Sequence, residues 1–370
     1  MRVRDAALTP DGGPIRVTVS RLASPEAVAD ALAPAGARTT VAHGRLTTVT
    51  TTSRLVDAVG RALGRPAADA LDTALTAAVA AWHGPPPDLQ TPAGVVTCSR
   101  RPVVVGVVNV TPDSFFDGGR YYAPPTHPGP AIDHGRALID AGADLVDVGG
   151  QSTRPGSEPV SEDVELDRVV PVVEALADGG AVVSVDTTKA AVARAAVGAG
   201  AAVVNDVSAG AFDDELLPTV AELRVPYVLM HMQGTPRTMQ REPTYTDVVA
   251  EVFEFLAEGL ERSATAGIEP TSVVVDPGIG FGKTVADNLE LLRDVRELTC
   301  LGRPVMVGTS RKSFLGRITG GLAADARLEA SIVTAALAVA RGASIVRVHD
   351  VTETVRALRA VHAVATGRWS

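Results

Sequence analysis

Cysteine is nearly absent: Cys98 and Cys300 stand far apart in 370 residues, without a C-x-x-C partner. That excludes a disulfide framework and a thiolate metal site, and both thiols are expected to be buried or incidental. Lysine is almost as scarce, since only Lys189, Lys283 and Lys312 interrupt an otherwise all-arginine set of 34 basic residues. Long apolar runs are missing too. Arginines break the Ala-rich stretches before they could span a bilayer, and the opening MRVRDAALTPDGG lacks the apolar core of a signal peptide. The expectation is a cytoplasmic protein with no membrane association. The formal net charge of -9 argues against nucleic-acid or anionic-membrane partners and leaves small anions as ligands for any local basic pocket. None of the 7 histidines forms an H-x-H pair, which removes the barrel hydrolases that hold a metal that way, and His231 by itself reads as structural.

What is present points to a folded α/β chain. An apolar fraction of 46% against 21% charged residues suits a globular protein with a sizeable core. From Pro102 onward, eight short β-branched runs alternate with Ala/Leu-rich helical stretches: Val103 to Val110, Leu145 to Val148, Val182 to Val185, Val203 to Asn205, Tyr227 to Met230, Val273 to Val275, Val305 to Val307 and Ile345 to Val348. Apolar strands alternating with helices imply a parallel sheet covered by helices, and eight such units favour closure into a (β/α)8 TIM barrel over an open sheet. One helix is expected over Leu328 to Ala340, with Leu328, Ile332, Ala335, Ala336 and Val339 on its inner face. Residues 1 to 98 lack this rhythm. Two strand candidates, Arg38 to Ala42 and Leu46 to Thr51, flank a His43-Gly44 turn, and Leu71, Ala74, Leu75, Ala78, Val79 and Trp82 make a helical stripe. The division expected is a small α+β extension over 1–98, with Pro85 to Pro92 as linker, and a catalytic barrel over 99–370.

In such a barrel the chemistry sits where the strands end. There the sequence places Asn109, Asp147, Asp186, Asn205-Asp206, His231, Asp276, the Ser310-Arg311-Lys312-Ser313 run and Arg347-Val348-His349. A lone Asp or Asn after a strand is commonly a turn former or helix cap. Convergence of Asp186, Asn205, Asp276 and Lys312 is a different matter, because two acids, an amide and a lysine are costly to bury unless a ligand satisfies them. Carboxylates accept from amino and ring N–H groups and an amide does both, which suits a pterin or a guanine edge. Arg347 and His349 alternate with Val348, so both face the interior. With Asn109 they could hold a pyrophosphate, the Asn109 oxygen also serving a hard ion such as Mg2+. The competing assignment pairs Arg347 with Asp350. The string PGIGFGKT ends like a nucleotide-binding loop, but Pro277 occupies the first required glycine, which argues against a nucleotide hydrolase.

The motifs VNVTPDSFFDGG, DVGGQSTRPGSEPV, VDTTK, NDVSAG, HMQGTPRTMQ, DPGIGFGKT, GTSRKSFLG and RVHDV, in this order, resemble the dihydropteroate synthase family over residues 101 to 365. The resemblance implies a homodimeric barrel transferase of folate synthesis that joins a dihydropterin pyrophosphate to p-aminobenzoate with Mg2+. It implies Asp186, Asn205, Asp276 and Lys312 as the pterin set with Arg347 beside the ring, and Asn109, Arg347 and His349 as the pyrophosphate and metal site. It further implies Phe115, Asp117, Thr153 and Pro155 on two loops near p-aminobenzoate, with Asp117 as a proton acceptor, and Phe281, Lys312 and Ser313 as the remaining walls. Lys189 and Lys283 match the motifs with loop or helix support as their expected role. Two departures stand out: Gln151 where many members carry Glu, and the proline-rich Ala123 to Pro130, expected to stiffen the first loop. The extension is expected to serve packing or dimerisation. Two rival functions share the pterin set, a cobalamin-partnered pterin methyltransferase, which has no use for the TRPG and SRKS segments, and a pterin-binding paralogue without turnover.

Overall fold

The computed structural model describes residues 2–4, 15–19, 22–35, 37–42, 45–50, 52–111, 128–154 and 156–368. The chain separates into two compact units, one of Met1–Pro86 with Arg296–Arg303 and one of Pro87–Val295 with Pro304–Ser370.

The smaller unit contains β1 (Arg2–Arg4), β2 (Ile15–Val19), α1 (Pro25–Leu32), β3 (Arg38–Ala42), β4 (Arg45–Thr50), α2 (Thr52–Leu63) and α3 (Arg65–His83). Its sheet is antiparallel in the order β1-β2-β4-β3, and Ala42 pairs with Arg45 across the expected His43-Gly44 turn, which lies outside the described residues. Val17, Leu32, Leu46, Leu55, Leu71 and Leu75 form its core. The stripe on α3 runs through Ala68, Leu71, Leu75 and Ala78; Ala74, expected on it, is exposed. Ala74 also lies three residues from Leu71 and four from Ala78, but at the helical period it falls at the edge of the stripe, where it meets solvent. Within the same unit the Arg296 guanidinium lies 4.8 Å above the Trp82 ring and donates to the Trp82 carbonyl at 3.2 Å.

The larger unit runs β5 (Leu89–Thr91), β6 (Gly94–Val96), β7 (Val103–Asn109), α4 (Gly129–Asp140), β8 (Leu145–Gly149), α5 (Glu162–Asp178), β9 (Val183–Asp186), α6 (Ala190–Gly198) and β10 (Val203–Asp206). It continues through α7 (Leu216–Leu223), β11 (Tyr227–Met230), α8 (Val248–Thr265), β12 (Val273–Asp276), α9 (Val285–Arg293), β13 (Met306–Val307), α10 (Ser313–Ile318), α11 (Leu328–Ala340), β14 (Ile345–Val348) and α12 (Val351–Thr366). Strands β7 to β14 pair in parallel in the order β12-β11-β10-β9-β8-β7-β14-β13, and a parallel bridge between Val275 and Val305 closes the ring. This is the expected (β/α)8 barrel.

Strand period decides what the barrel encloses. Val103, Val105, Leu145, Val203, Val228, Val274, Met306 and Ile345 point inward at the lower level and cluster with Leu89, Val96 and Cys98. Two residues further along the strands, the same alternation turns Val107, Asp147, Asn205, Met230, Asp276 and Arg347 to the interior. An apolar floor therefore carries a polar upper layer.

Three expectations change here. The Pro85 to Pro92 segment is only partly a linker: β5 and β6 form a hairpin whose Leu89 and Val96 plug the barrel floor, and residues 87–98, read as part of the extension, cluster with the barrel. Helix α11 has the expected bounds but buries Ser331, Ala335 and Ala338 rather than the Leu328-Ile332-Val339 face, because small side chains allow close approach to the sheet and Ser331 Oγ is needed to accept the Arg311 N–H at 2.8 Å. The end of the proline-rich segment opens α4, with Pro130 in its first turn, where a missing N–H costs nothing; residues 123–127 lie outside the described set.

Asp206 faces the other way from Asn205 and is fully buried, yet every oxygen is used: it accepts from Ser208 N (2.7 Å), Ser208 Oγ (2.6 Å), Gly210 N (2.6 Å) and Tyr227 Oη (2.7 Å). A hydrogen bond to a charged group contributes about 1.5–3 kcal/mol. Tyr227→Phe, measured by urea unfolding, is expected to lower stability by roughly 2 kcal/mol with the unfolding slope unchanged.

Candidate active site

The upper layer opens into a cavity at the C-terminal ends of the strands. Its inner chamber is lined by Thr153, Asp186, Asn205, Asp276, Phe281, Lys312, Arg347 and His349, with Val107, Val207, Met230 and Met306 as apolar walls. An outer chamber shares Thr153, Asp186, Phe281, Lys312, Arg347 and His349 and adds Asn109, Gln151, Arg154, Met239 and Ser313. Ten of the residues expected from the sequence thus meet at one place: Asn109, Thr153, Asp186, Asn205, Asp276, Phe281, Lys312, Ser313, Arg347 and His349. Phe115, Asp117 and Pro155 lie outside the described residues.

Arg347 organises the inner chamber. Its Nε donates to Asp147 Oδ2 at 2.6 Å and a terminal nitrogen donates to Asp186 Oδ2 at 2.8 Å, while Asn205 Nδ2 donates to the same Asp147 oxygen at 2.8 Å. Asp350 takes no part in this. It forms an ion pair with Arg311, whose left-handed backbone (φ 57) is held by Ser331 Oγ and by the Arg327 guanidinium on its carbonyl at 2.9 Å. Asp147 is the functional residue that motif reading passed over. Its signal was available, since period two along β8 sets Asp147 inward with Leu145 just as it sets Arg347 inward on β14.

Burial sets the charge states. Desolvation pushes the Asp186 carboxyl up to about 7, with Arg347 opposing and Asp147 adding to the rise. Asp276 is also raised by burial, against the Lys312 ammonium and a 2.6 Å hydrogen bond from Gly278 N–H. Lys312 is brought down to about 8 by burial, with Asp276 opposing; its Nζ donates to the Ile279 carbonyl and lies 4.7 Å above the Phe281 ring. His349 is held down to about 3 by burial and then by Arg347, Arg311 and Lys312, so it enters as a neutral imidazole. Its backbone N–H donates to Ser310 Oγ at 3.1 Å, and its Nδ1 lies 3.0 Å from the same hydroxyl; where that hydroxyl donates to Nδ1, the ring proton sits on Nε2.

The loop after β12 is shaped by close backbone approach. At Gly278 (φ +66) a Cβ would sit 1.8 Å from the His231 carbonyl oxygen, so no other residue fits. Buried Lys283 then stitches the loop, its Nζ 2.8 Å from His231 Nδ1 and donating to the Phe281 carbonyl at 3.0 Å; burial lowers it to about 7. His231 and Lys283 thereby hold Phe281 in the cavity wall.

Among the described residues no group of three or more His, Cys, Asp or Glu could hold a metal ion. Asn109, half-buried at the end of β7, offers one amide oxygen to the outer chamber.

A parallel barrel whose mouth buries three aspartates, an asparagine and two cations defines an enzyme for a small polar heterocycle carrying N–H donors. The family model of pterin binding enzymes matches residues 105–349. The dihydropteroate synthase of Mycobacterium leprae is 48% identical over 272 residues, covering 72% of this chain and 94% of its own. Among solved structures, the Yersinia pestis dihydropteroate synthase with a sulfonamide drug complex superposes with a TM-score of 0.72 at 42% identity, covering 75% of this chain and 99% of that one. The Xanthomonas albilineans dihydropteroate synthase in complex with 7,8-dihydropteroate gives 0.66 at 42% identity, covering 76% and 99%. The chain belongs to the pterin-binding enzyme family and, within it, to the dihydropteroate synthases, which makes it a transferase. Residues 1–86 lie outside the family match.

Because Asp147 and Asp186 compete for one arginine, Asp147→Asn is expected to lower the Asp186 titration below its wild-type value of about 7. Carbon NMR of aspartate-labelled protein reads this directly, and an unchanged midpoint would show that the two carboxyls are uncoupled.

Proposed function

We propose that the chain condenses 6-hydroxymethyl-7,8-dihydropterin pyrophosphate with p-aminobenzoate, giving 7,8-dihydropteroate and pyrophosphate for folate synthesis. The observation that carries this reading is the meeting of Asp186, Asn205, Asp276, Lys312 and Arg347 in one chamber that opens onto a second lined by Asn109, Thr153, Ser313 and His349. The inner chamber suits the pterin: Asp186 and Asp276 accept its ring and amino N–H groups, Asn205 complements an adjoining edge, and the Lys312 ammonium donates to a ring acceptor. The apolar walls Val107, Met230 and Met306 cover its faces.

The diphosphate would then lie toward Asn109 and His349. A protein-built magnesium cage does not fit there, because Asn109 is a single neutral donor; an ion arriving on the diphosphate, which supplies most of its oxygens, does fit. When bound, Mg2+ would neutralise the leaving group as its charge develops. His349 Nε2–H adds a neutral donor, and the fields of Arg347 and Lys312 favour departure of an anion. As the C–O bond breaks, the Asp186 and Asp276 carboxylates stabilise positive charge spreading into the pterin. The p-aminobenzoate nitrogen, neutral at ordinary pH, attacks from the outer chamber between Phe281, Thr153 and Ser313. Asp117 and Phe115 on the first loop, with Pro155 on the second, complete this pocket in the same reading, Asp117 taking the proton.

The state of Asp186 gives the pH dependence. Its accepting form is the carboxylate, so pterin affinity is expected to rise with pH through about 7, with proton release on binding below that point. Pyrophosphate release by the purified protein with both substrates and Mg2+ tests the function. Turnover should require the arylamine and fall by roughly 100-fold or more in Asp186→Asn and in Lys312→Ala. Pterin binding without turnover in the wild type would instead favour the silent paralogue.

We also assign the chain to the cytoplasm as a homodimer. Among the described residues no helix is long and apolar enough to cross a membrane. Pairing is supported by α11, which leaves Val333 and Leu337 54% and 46% exposed. Light scattering is expected to give twice the chain mass, and Val333→Glu to shift it toward one; a monomeric wild type would overturn the assignment.

A further inference from the structure

Lys189 lies outside the lining of both chambers, at the start of α6. Its ammonium pairs with Glu165 on α5 and donates to Gln151 Oε1 at 2.8 Å. Glu165 is 1% exposed, and its second oxygen has no hydrogen-bond partner among the described residues, so Lys189 is what compensates a carboxylate taken out of water. The same Gln151 oxygen also accepts the backbone N–H of Val160 at 3.1 Å. The Gln151 side chain therefore ties positions 151 and 160, near the two ends of the segment between β8 and α5.

The base of that segment is held elsewhere too. Arg168 donates to the Gly150 carbonyl at 2.8 Å, and Gly150 presses so closely on α5 that a Cβ would come within 2.8 Å of Val169 and 3.0 Å of Glu165. The tip is built differently. Ser157 Oγ reaches the carbonyls of Ser152 (2.7 Å) and Arg154 (2.8 Å), which ties Ser157 back onto both. To its neighbour the tip is tied by the Gly156 N–H on the Pro236 carbonyl at 3.0 Å and by a 3.4 Å Arg237–Glu158 pair whose side chains are 62% and 70% exposed. An exposed pair of this kind is screened by solvent and holds weakly. Thr153 and Arg154, on this tip, line the outer chamber.

We infer that Glu165, Lys189 and Gln151 form a clamp: positioning residues that hold Gln151 and Val160 together at the base of the segment after β8 and so keep Thr153 and Arg154 at the wall of the outer chamber, where the second substrate would bind. The ion pair at the base is buried, whereas the ion pair near the tip is exposed to solvent. The clamp lies on the arylamine side of the cavity, and its side-chain hydrogen bonds reach none of the pterin-facing side chains Asp186, Asn205, Asp276 and Arg347. For its kinetic readout the inference rests on the synthase reading.

The test compares Gln151→Leu, Gln151→Glu and the double variant Lys189→Met with Glu165→Gln, which leaves no buried charge uncompensated. In Gln151→Leu and the double variant, KM for p-aminobenzoate is expected to rise about tenfold while KM for the pterin substrate stays within about twofold. Gln151→Glu should leave the Val160 amide as protected as in the wild type, since a carboxylate accepts from both Lys189 and Val160. Hydrogen exchange supplies a second readout independent of turnover: the Val160 amide should exchange faster in Gln151→Leu. Both KM values rising together, or neither rising, would overturn the clamp. If the wild type shows no turnover, the synthase reading fails, and the clamp then stands or falls on the Val160 amide, wild-type exchange in Gln151→Leu being the result that sinks it.

Discussion

The Arg347 guanidinium, shared by Asp147 and Asp186 inside a closed barrel, is the interaction on which the rest of the site depends. Burying two carboxylates side by side would be prohibitive without a cation between them, and a cation there would be equally costly without the carboxylates. Neither acid is fully satisfied by one arginine: Asp186 is left raised toward neutrality, and Asp147 keeps an oxygen without a partner among the described residues. A chamber with this deficit gains most from a ligand rich in N–H donors. The same deficit explains why the strands below must be so uniformly apolar, since the valine floor and the β5–β6 hairpin seal that end of the barrel.

Around this centre each remaining ionisable group is committed to a neighbour. His349 is a neutral donor oriented by Ser310, Lys283 is spent on the wall that carries Phe281, and Lys312 sits between Asp276 and an aromatic face. In the proposed reaction these choices would place positive potential where a diphosphate departs and negative potential where the pterin becomes cationic.

Much of this was legible in the residues. The eight β-branched runs became eight strands, and the polar residues at their ends met at one mouth, because parallel strands buried on both faces leave a plain mark in sequence. Asp147 was seen at a strand end but given no role, because its partner Arg347 lies 200 positions away and meets it only in the closed barrel. The α11 face was misjudged because bulk was taken as the sign of burial, whereas small residues pack nearest the sheet. The hairpin at Leu89 and Val96 was hidden among prolines, in a stretch too short to show a period.

By itself, the sequence determined the barrel, its strand count, the family, and the set of acids, amides and cations at the strand ends, since period and motif are local properties of the chain. Tertiary structure alone decided how those groups are paired: Arg347 with Asp147 and Asp186 instead of Asp350, Lys189 with Glu165 and Gln151, Lys283 with His231. Such pairings join residues up to 200 positions apart, and the charge states that follow depend on burial, a property no residue has until the barrel closes around it.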